Sequence, residues 1–142
     1  MHHFYHPDFS QNFFSLSAEE SEHCIRSLRH RVDDEIMITD GKGSFAKAKV
    51  VVDNPKNCLV ELIEVQNDVN TRKRNFHLAV APTKNIDRIE WLVEKGVELG
   101  VDAISFIICE HSDRPRVNMQ RMERIAISAL KQSQTTILPA LE

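Results

Sequence analysis

From Ile86 to Leu99 the apolar side chains Ile86, Ile89, Leu92, Val93 and Val97 recur at steps of three and four, while Asp87, Arg88, Glu90, Glu94, Lys95 and Glu98 occupy the remaining surface. That is the period of a helix with one buried face. Two short apolar runs, Phe76 to Ala81 and Val101 to Cys109, flank it and read as buried strands. Thr83 or Asn85 can cap the helix at its start, and Gly100 stands where a left-handed residue ends it. Strand, helix and strand in this order form a βαβ unit with a right-handed crossover, which commits residues 71–142 to a parallel sheet. A second helix is expected from Asn118 to Ser133, with Met122, Ile125, Ala126, Ala129 and Leu130 on one stripe.

Residues 1–70 have a different period. Ser17-Ala18-Glu19-Glu20 fits a capping box that opens a short helix ending near Leu28. Segments rich in Ile and Val follow at Glu35 to Thr39, Phe45 to Val52 and Cys58 to Val65. They are separated by Asp40-Gly41-Lys42-Gly43 and by Asp53-Asn54-Pro55-Lys56-Asn57, residues that supply the backbone angles of tight turns. Antiparallel hairpins are expected, and closing them into a small barrel removes their edges. The polar stretch from Gln66 to Arg74 buries little and reads as the boundary between the two segments.

Two parallel strands with two helices do not complete an open α/β sheet, in which each strand needs neighbours and both faces need cover. The expectation is therefore a sheet left incomplete at Glu142, with apolar surface that a second copy or more chain would cover.

Charge narrows the partners. The first 70 residues carry seven Lys and Arg against twelve Asp and Glu, and the remainder eleven against nine. A nucleic-acid contact must then be a local basic patch and not a whole-face field. Cys24, Cys58 and Cys109 are odd in number and far apart, which supports neither a disulfide framework nor a zinc site. No apolar run is long enough to span a bilayer, so a cytoplasmic protein with no membrane and no metal partner is expected.

Chemistry-bearing candidates fall into two groups. In the first segment, Arg26, Arg29 and Arg31 cluster at the end of the first helix, where they can grip phosphate or simply complement the helix dipole. Lys42 sits in a turn, and Lys47 and Lys49 share one strand face with Phe45, as nucleic-acid contacts or as solvated lysines. In the second segment, Lys84 and Arg88 lie four apart on the helix, as do Glu94 and Glu98. Glu110, Ser112 and Arg114 follow the second strand, at the edge where α/β sheets bind ligands. Gln132 and Ser133 end the second helix. No Gly-rich turn opens a helix, so the dinucleotide fingerprint is absent.

Several of these tracts occur together in a fixed order: Phe4-Tyr5, His23 with Leu28-Arg29, Asp40-Gly41-Lys42-Gly43, the run from Lys84 to Val101, Glu110-His111-Ser112 and Lys131-Gln132-Ser133. In that order the chain resembles the amino-terminal part of the ribosomal RNA small-subunit methyltransferase E family, over nearly its whole length. The resemblance implies an α/β protein. Residues 1–70 would form a PUA-like antiparallel β-barrel that binds RNA. Residues 71–142 would be the first part of a SPOUT methyltransferase domain, without the carboxyl-terminal trefoil knot that holds S-adenosylmethionine. It implies that the parent protein methylates N3 of a uridine in 16S small-subunit ribosomal RNA as a homodimer. It also implies that this chain holds no cofactor and no catalytic residue of its own. Three departures stand out: His111 where the family has Arg, Thr135 where it has a basic residue, and Gly96-Val97 where a polar residue and Thr are frequent. The rival reading is a non-catalytic RNA-binding or assembly module.

Overall fold

Extended segments rich in Val and Ile need partners on both sides. In the computed structural model, which describes residues 1–67, 74–112 and 116–142, they find them in two separate sheets. The chain divides into two units, Met1–Asn70 and Thr71–Glu142.

The first unit contains β1 (His3–Tyr5), β2 (Phe13–Ser15), α1 (Ala18–Glu22), a π-helical turn (His23–Ser27), β3 (Glu35–Thr39), β4 (Phe45–Val52) and β5 (Leu59–Gln66). Its five strands lie in the order β1-β3-β4-β5-β2. Strict alternation along β4 points Ala46, Ala48 and Val50 inward, where they are fully buried. They share that interior with Phe4, Ile36, Ile38 and Val60. Register shifts between β4 and β5 leave Val51 and Ile63 without direct partners. Such bulges increase twist, and the sheet curls into a half-barrel.

The expectation of a wholly antiparallel barrel is corrected in two respects. Strand β1 pairs with β3 in parallel, because the chain reaches β3 only after passing through β2 and α1. The hydrogen-bonded order also ends at β1 and β2 and does not return on itself. The seam between these edges is bridged by side chains. The His6 ring stacks on Phe14 with centroids 3.9 Å apart, and the Tyr5 amide donates to the buried Glu20 carboxylate at 3.3 Å.

Ser17 caps α1 as its sequence predicts, accepting from the Glu20 amide at 3.2 Å. The expected helix to Leu28 is corrected: after Glu22 it widens into a π turn, closed by the Leu28 amide on the His23 carbonyl at 3.0 Å. The wider turn carries the buried Cys24 and Ile25.

The second unit contains β6 (His77–Val80), α2 (Ile86–Leu99), β7 (Ala103–Phe106), α3 (Met119–Ser133) and β8 (Ala140–Leu141). The strands are parallel in the order β6-β7-β8. Stepping in one direction with right-handed crossovers places both helices on one face, and α2 packs against α3. Ile89, Val93 and Val97 of α2 and Met122, Ala126 and Leu130 of α3 are buried. Asn85 and Asn118 cap the two helices, and Gly100 closes α2 at φ 81°. A Cβ at Gly96 would meet the end of the Ile104 side chain, Cδ1, at 3.3 Å, a tight contact that a shift of a few tenths of an ångström in that side chain relieves.

Three expectations are corrected in this unit. Strand β6 is largely exposed, because it is an edge strand with helices on one side only. The second strand ends at Phe106, and Ile108 beyond it is 69% exposed. A third strand does begin before Glu142, as the two residues of β8. On the face away from the helices, Ser105 Oγ lies 2.6 Å from His77 Nε2 and donates to Glu142 Oε1 at 2.6 Å, tying the three strands together.

Candidate functional site

The carboxyl ends of β6 and β7 converge on an open cleft of about 320 Å³, lined by Ala81, Pro82, Thr83, Cys109, Glu110, His111 and Ser112. Both loops are braced from within. Ser112 Oγ accepts from the Cys109 amide at 2.7 Å, while the Ser112 amide donates to the Cys109 carbonyl at 3.0 Å. Thr83 Oγ1 donates to the Asn85 carbonyl at 2.9 Å, and Asn85 Oδ1 accepts from the Asp87 amide at 3.0 Å. The rim of the cleft thus leads directly into α2. Lys84 is exposed in the same loop. The lining offers a carboxylate, an imidazole and an exposed thiol, a set suited to gripping a polar ligand. Arg114 lies outside the described residues.

On α2 the two carboxylates four residues apart are not a proton-sharing pair, because a cation sits between them. Lys95 Nζ lies 2.9 Å from Glu94 Oε1 and 3.0 Å from Glu98 Oε1. Those contacts, Glu94 first, push the lysine pKa up and keep it charged. Arg88 is exposed near the start of α2. At the end of α3, Ser133 Oγ donates to the Ala129 carbonyl at 2.6 Å and lies 3.1 Å from Thr135 Oγ1, so its hydroxyl serves the helix terminus. Gln132 beside it is exposed.

In the first unit the three arginines differ in their partners. Arg26 pairs with Glu22 at 2.9 Å and Arg31 with Asp53 at 3.6 Å. Among the described residues Arg29 alone of the three has no carboxylate partner, and it is exposed with φ 60°. The following loop is pinned by Asp34, whose Oδ2 accepts from the Arg31 amide at 2.8 Å and meets His30 Nδ1 at 3.3 Å. The Arg31 amide, and then His30, hold the Asp34 carboxyl below its ordinary range.

Lys47 reaches Glu35 at 2.6 Å and Lys49 reaches Asp33 at 3.5 Å. Across β5 the same residues face Glu64 and Glu61, so the lysine row lies on a charge-balanced face. Lys42 donates to the Pro7 carbonyl at 2.7 Å, and its charge also acts on the Asp8 carboxylate. Close by in sequence, the His6 and Phe9 rings stack on Phe14.

Sequence reasoning missed this aromatic seam, because His6 and Phe9 lie in a segment with no period to read. It also missed Pro82, Thr83 and Cys109 as cleft walls, although each stands at the end of a predicted strand. No helix among the described residues is long and apolar enough to cross a membrane. Among those residues no His, Cys, Asp and Glu side chains group into a metal-holding cluster.

Comparison with known proteins adds the family. Residues 70–142 match the family model described as RNA methyltransferase domain, and residues 16–63 match the one described as RNA methyltransferase PUA domain. The chain is 26% identical over 141 residues to ribosomal RNA small subunit methyltransferase E of Buchnera aphidicola subsp. Acyrthosiphon pisum (strain APS), covering 92% of this chain and 53% of that protein. The probable rRNA-methyltransferase of Porphyromonas gingivalis superposes with TM-score 0.91 at 39% identity, over 100% of this chain and 59% of that one. Ribosomal RNA small subunit methyltransferase E of Neisseria gonorrhoeae, solved bound to S-adenosyl methionine, superposes with TM-score 0.87 at 28% identity, over 100% of this chain and 60% of that one. The chain spans about half the length of the curated relatives it matches.

Proposed function

Because the chain belongs to the RNA methyltransferase family that includes ribosomal RNA small subunit methyltransferase E, we propose that its parent protein methylates N3 of a uridine in small-subunit ribosomal RNA. S-adenosylmethionine is the methyl donor in this reading, the protein works in the cytoplasm, and it acts as a homodimer. Residues 1–70 are its PUA-like RNA-docking part, and residues 71–142 are the first part of its SPOUT transferase domain. The observation that carries the reading is the match of residues 70–142 to the RNA methyltransferase domain, on a unit whose parallel strands end in a polar cleft.

The cleft fits the target nucleotide better than a whole cofactor. Its volume is at the lower end for small-molecule sites, and among the described residues its lining forms one open wall. S-adenosylmethionine belongs, in this reading, to the whole protein. Orientation is what the loop residues supply: Glu110, His111 and Ser112 on one loop and Thr83 with Lys84 on the other would bracket a base or its phosphate. Arg29 and Lys42 are the proposed docking cations of the first unit, Arg29 because among the described residues no carboxylate competes for it and Lys42 because its ammonium is held on a backbone carbonyl and not in a carboxylate salt bridge.

The test is nucleoside mass spectrometry of small-subunit ribosomal RNA incubated with the whole protein and S-adenosylmethionine. N3-methyluridine is expected. RNA binding without any methylated nucleoside would support the non-catalytic RNA-binding module instead.

A further inference from the structure

Two of the three cysteines lie in the core of the first unit and touch. Cys24 sits on the π turn and Cys58 just before β5, 34 residues further along the chain, and both are free and fully buried. Backbone contacts fix them against each other. The Leu16 amide donates to the Cys58 carbonyl at 2.9 Å, and the Cys58 amide donates to Ser21 Oγ at 3.0 Å. Ser21 lies one helical turn before Cys24, so the Cys24 thiol projects on the side that Cys58 closes. There it donates a hydrogen bond to the Cys58 sulfur. A buried cysteine that only fills space needs no such partner.

The hydrogen bond also makes the two sulfurs chemically different. It lowers the Cys58 pKa against the opposing effects of burial and Asp53, and it raises that of Cys24, where burial, the Cys58 charge, Glu20 and Asp34 act in the same sense. Cys58 is thus the nucleophile, and Cys24 is the thiol that keeps its proton for a second step. Cys24 is tied to the RNA-docking loop as well. Its carbonyl accepts from the His30 amide at 3.1 Å, across the left-handed Arg29. A displacement of Cys24 therefore moves the Arg29 side chain.

We propose that Cys24 and Cys58 are a peroxide-responsive dithiol, which closes to a disulfide and thereby weakens RNA docking at Arg29. Hydrogen peroxide is the oxidant, small enough to enter when the π turn opens locally. The Cys58 thiolate attacks one peroxide oxygen, the O–O bond breaks, and the other oxygen leaves as hydroxide and becomes water on taking up a proton. Cys24 then attacks the sulfenic sulfur formed on Cys58. The S–S bond forms, and the sulfenic oxygen leaves as a second water with the Cys24 proton. The two thiols lose two electrons and the peroxide gains them. A covalent S–S bond is shorter than any hydrogen bond between thiols, so closure draws the π turn toward Cys58 and pulls on the Arg29 cap. In a reducing compartment such a disulfide is transient, as a sensor requires. The effect on RNA rests on the docking role proposed above for Arg29, whereas the disulfide does not.

The experiment uses the whole 142-residue chain and a fluorescent single-stranded oligoribonucleotide. Iodoacetamide first caps the exposed Cys109 in the folded protein. Hydrogen peroxide is then added and removed with catalase, and each sample is split between peptide mapping by mass spectrometry and anisotropy titration. A peptide pair joined through Cys24 and Cys58, lighter by two hydrogens than the reduced pair, is expected. RNA affinity should fall about tenfold, the worth of one charge-assisted contact. Dithiothreitol should reverse both changes. Cys24→Ala and Cys58→Ala, each checked for folding by circular dichroism, should bind RNA as the reduced chain does and ignore peroxide. Cysteines that stay reduced, or that oxidise separately without joining, would overturn the proposal. So would a complete disulfide with unchanged RNA affinity in a chain whose Arg29→Ala variant binds weakly. An Arg29→Ala variant that binds RNA normally would instead refute the docking role of Arg29 and with it the link to RNA, while the peptide map still decides the disulfide.

Discussion

Arg29 offers a perturbation in which folding and RNA binding should move in opposite directions. Its φ of 60° is left-handed, and it follows the helix end at the position usually taken by glycine. The His30 amide closes this end on the Cys24 carbonyl at 3.1 Å, so the conformation is imposed by the cap. A side chain bearing a Cβ there costs roughly 1–2 kcal/mol. Replacing Arg29 with Gly removes that strain but adds unfolded-state entropy of about 0.4–1 kcal/mol. The net is a gain of roughly 0.5–1 kcal/mol for Arg29→Gly over Arg29→Ala, or about 2–8 °C in Tm for a unit of this size. Both variants lose the same guanidinium. If it grips a phosphate, both should weaken RNA binding equally and lower the salt slope by about 0.7 units for a single strand. Thermal unfolding and salt-titrated fluorescence anisotropy on the same samples measure the two effects. Equal stability of the Gly and Ala variants would show that no strain is stored at this position. Undiminished affinity and slope in both would show that the arginine is not a phosphate contact.

Burial lowers the pKa of His6, so its folded pKa lies below its unfolded one. Its contribution to stability is complete above the unfolded value near 6.5 and is lost as pH falls through the folded value. His6→Phe should keep the stack on Phe14 and flatten the fall in Tm on acidification, and an unchanged pH profile would remove His6 as its source. Gly96→Ala should raise stability by up to about 1 kcal/mol in chemical denaturation, since helix propensity favours Ala and the close contact is the flexible end of Ile104. A clear loss would mean that α2 and β7 are packed too rigidly to yield. Arg121 holds Glu90 through two nitrogens, Nε at 2.5 Å and Nη2 at 3.1 Å. Arg121→Ala should lower Tm and Arg121→Lys should not restore it, because one ammonium does not reproduce a two-point grip. Full recovery with Lys would reduce the contact to simple charge.

What the sequence determined by itself was whatever depends on neighbours within a few residues. The stripe through Ile89, Val93 and Val97, the Asn85 and Gly100 caps and the hairpins around Asp40-Gly41 were legible because helix period, capping and turn chemistry are local. The tertiary structure decided how those pieces share partners. The parallel pairing of β1 with β3, the π turn that buries Cys24 and Ile25, and the His6 stack that bridges the open seam join residues far apart in the chain. No periodicity encodes them. The candidate site divides in the same way. Glu110 and Ser112 were readable as loop residues after a strand, but their meeting with Pro82 and Thr83 required the register that sets β6 beside β7. The charges of Lys47, Lys49 and Glu98 were equally visible, yet whether each is available to a ligand depends on the carboxylate or ammonium that folding brings within 3.5 Å of it. That distance is a property of the packed chain.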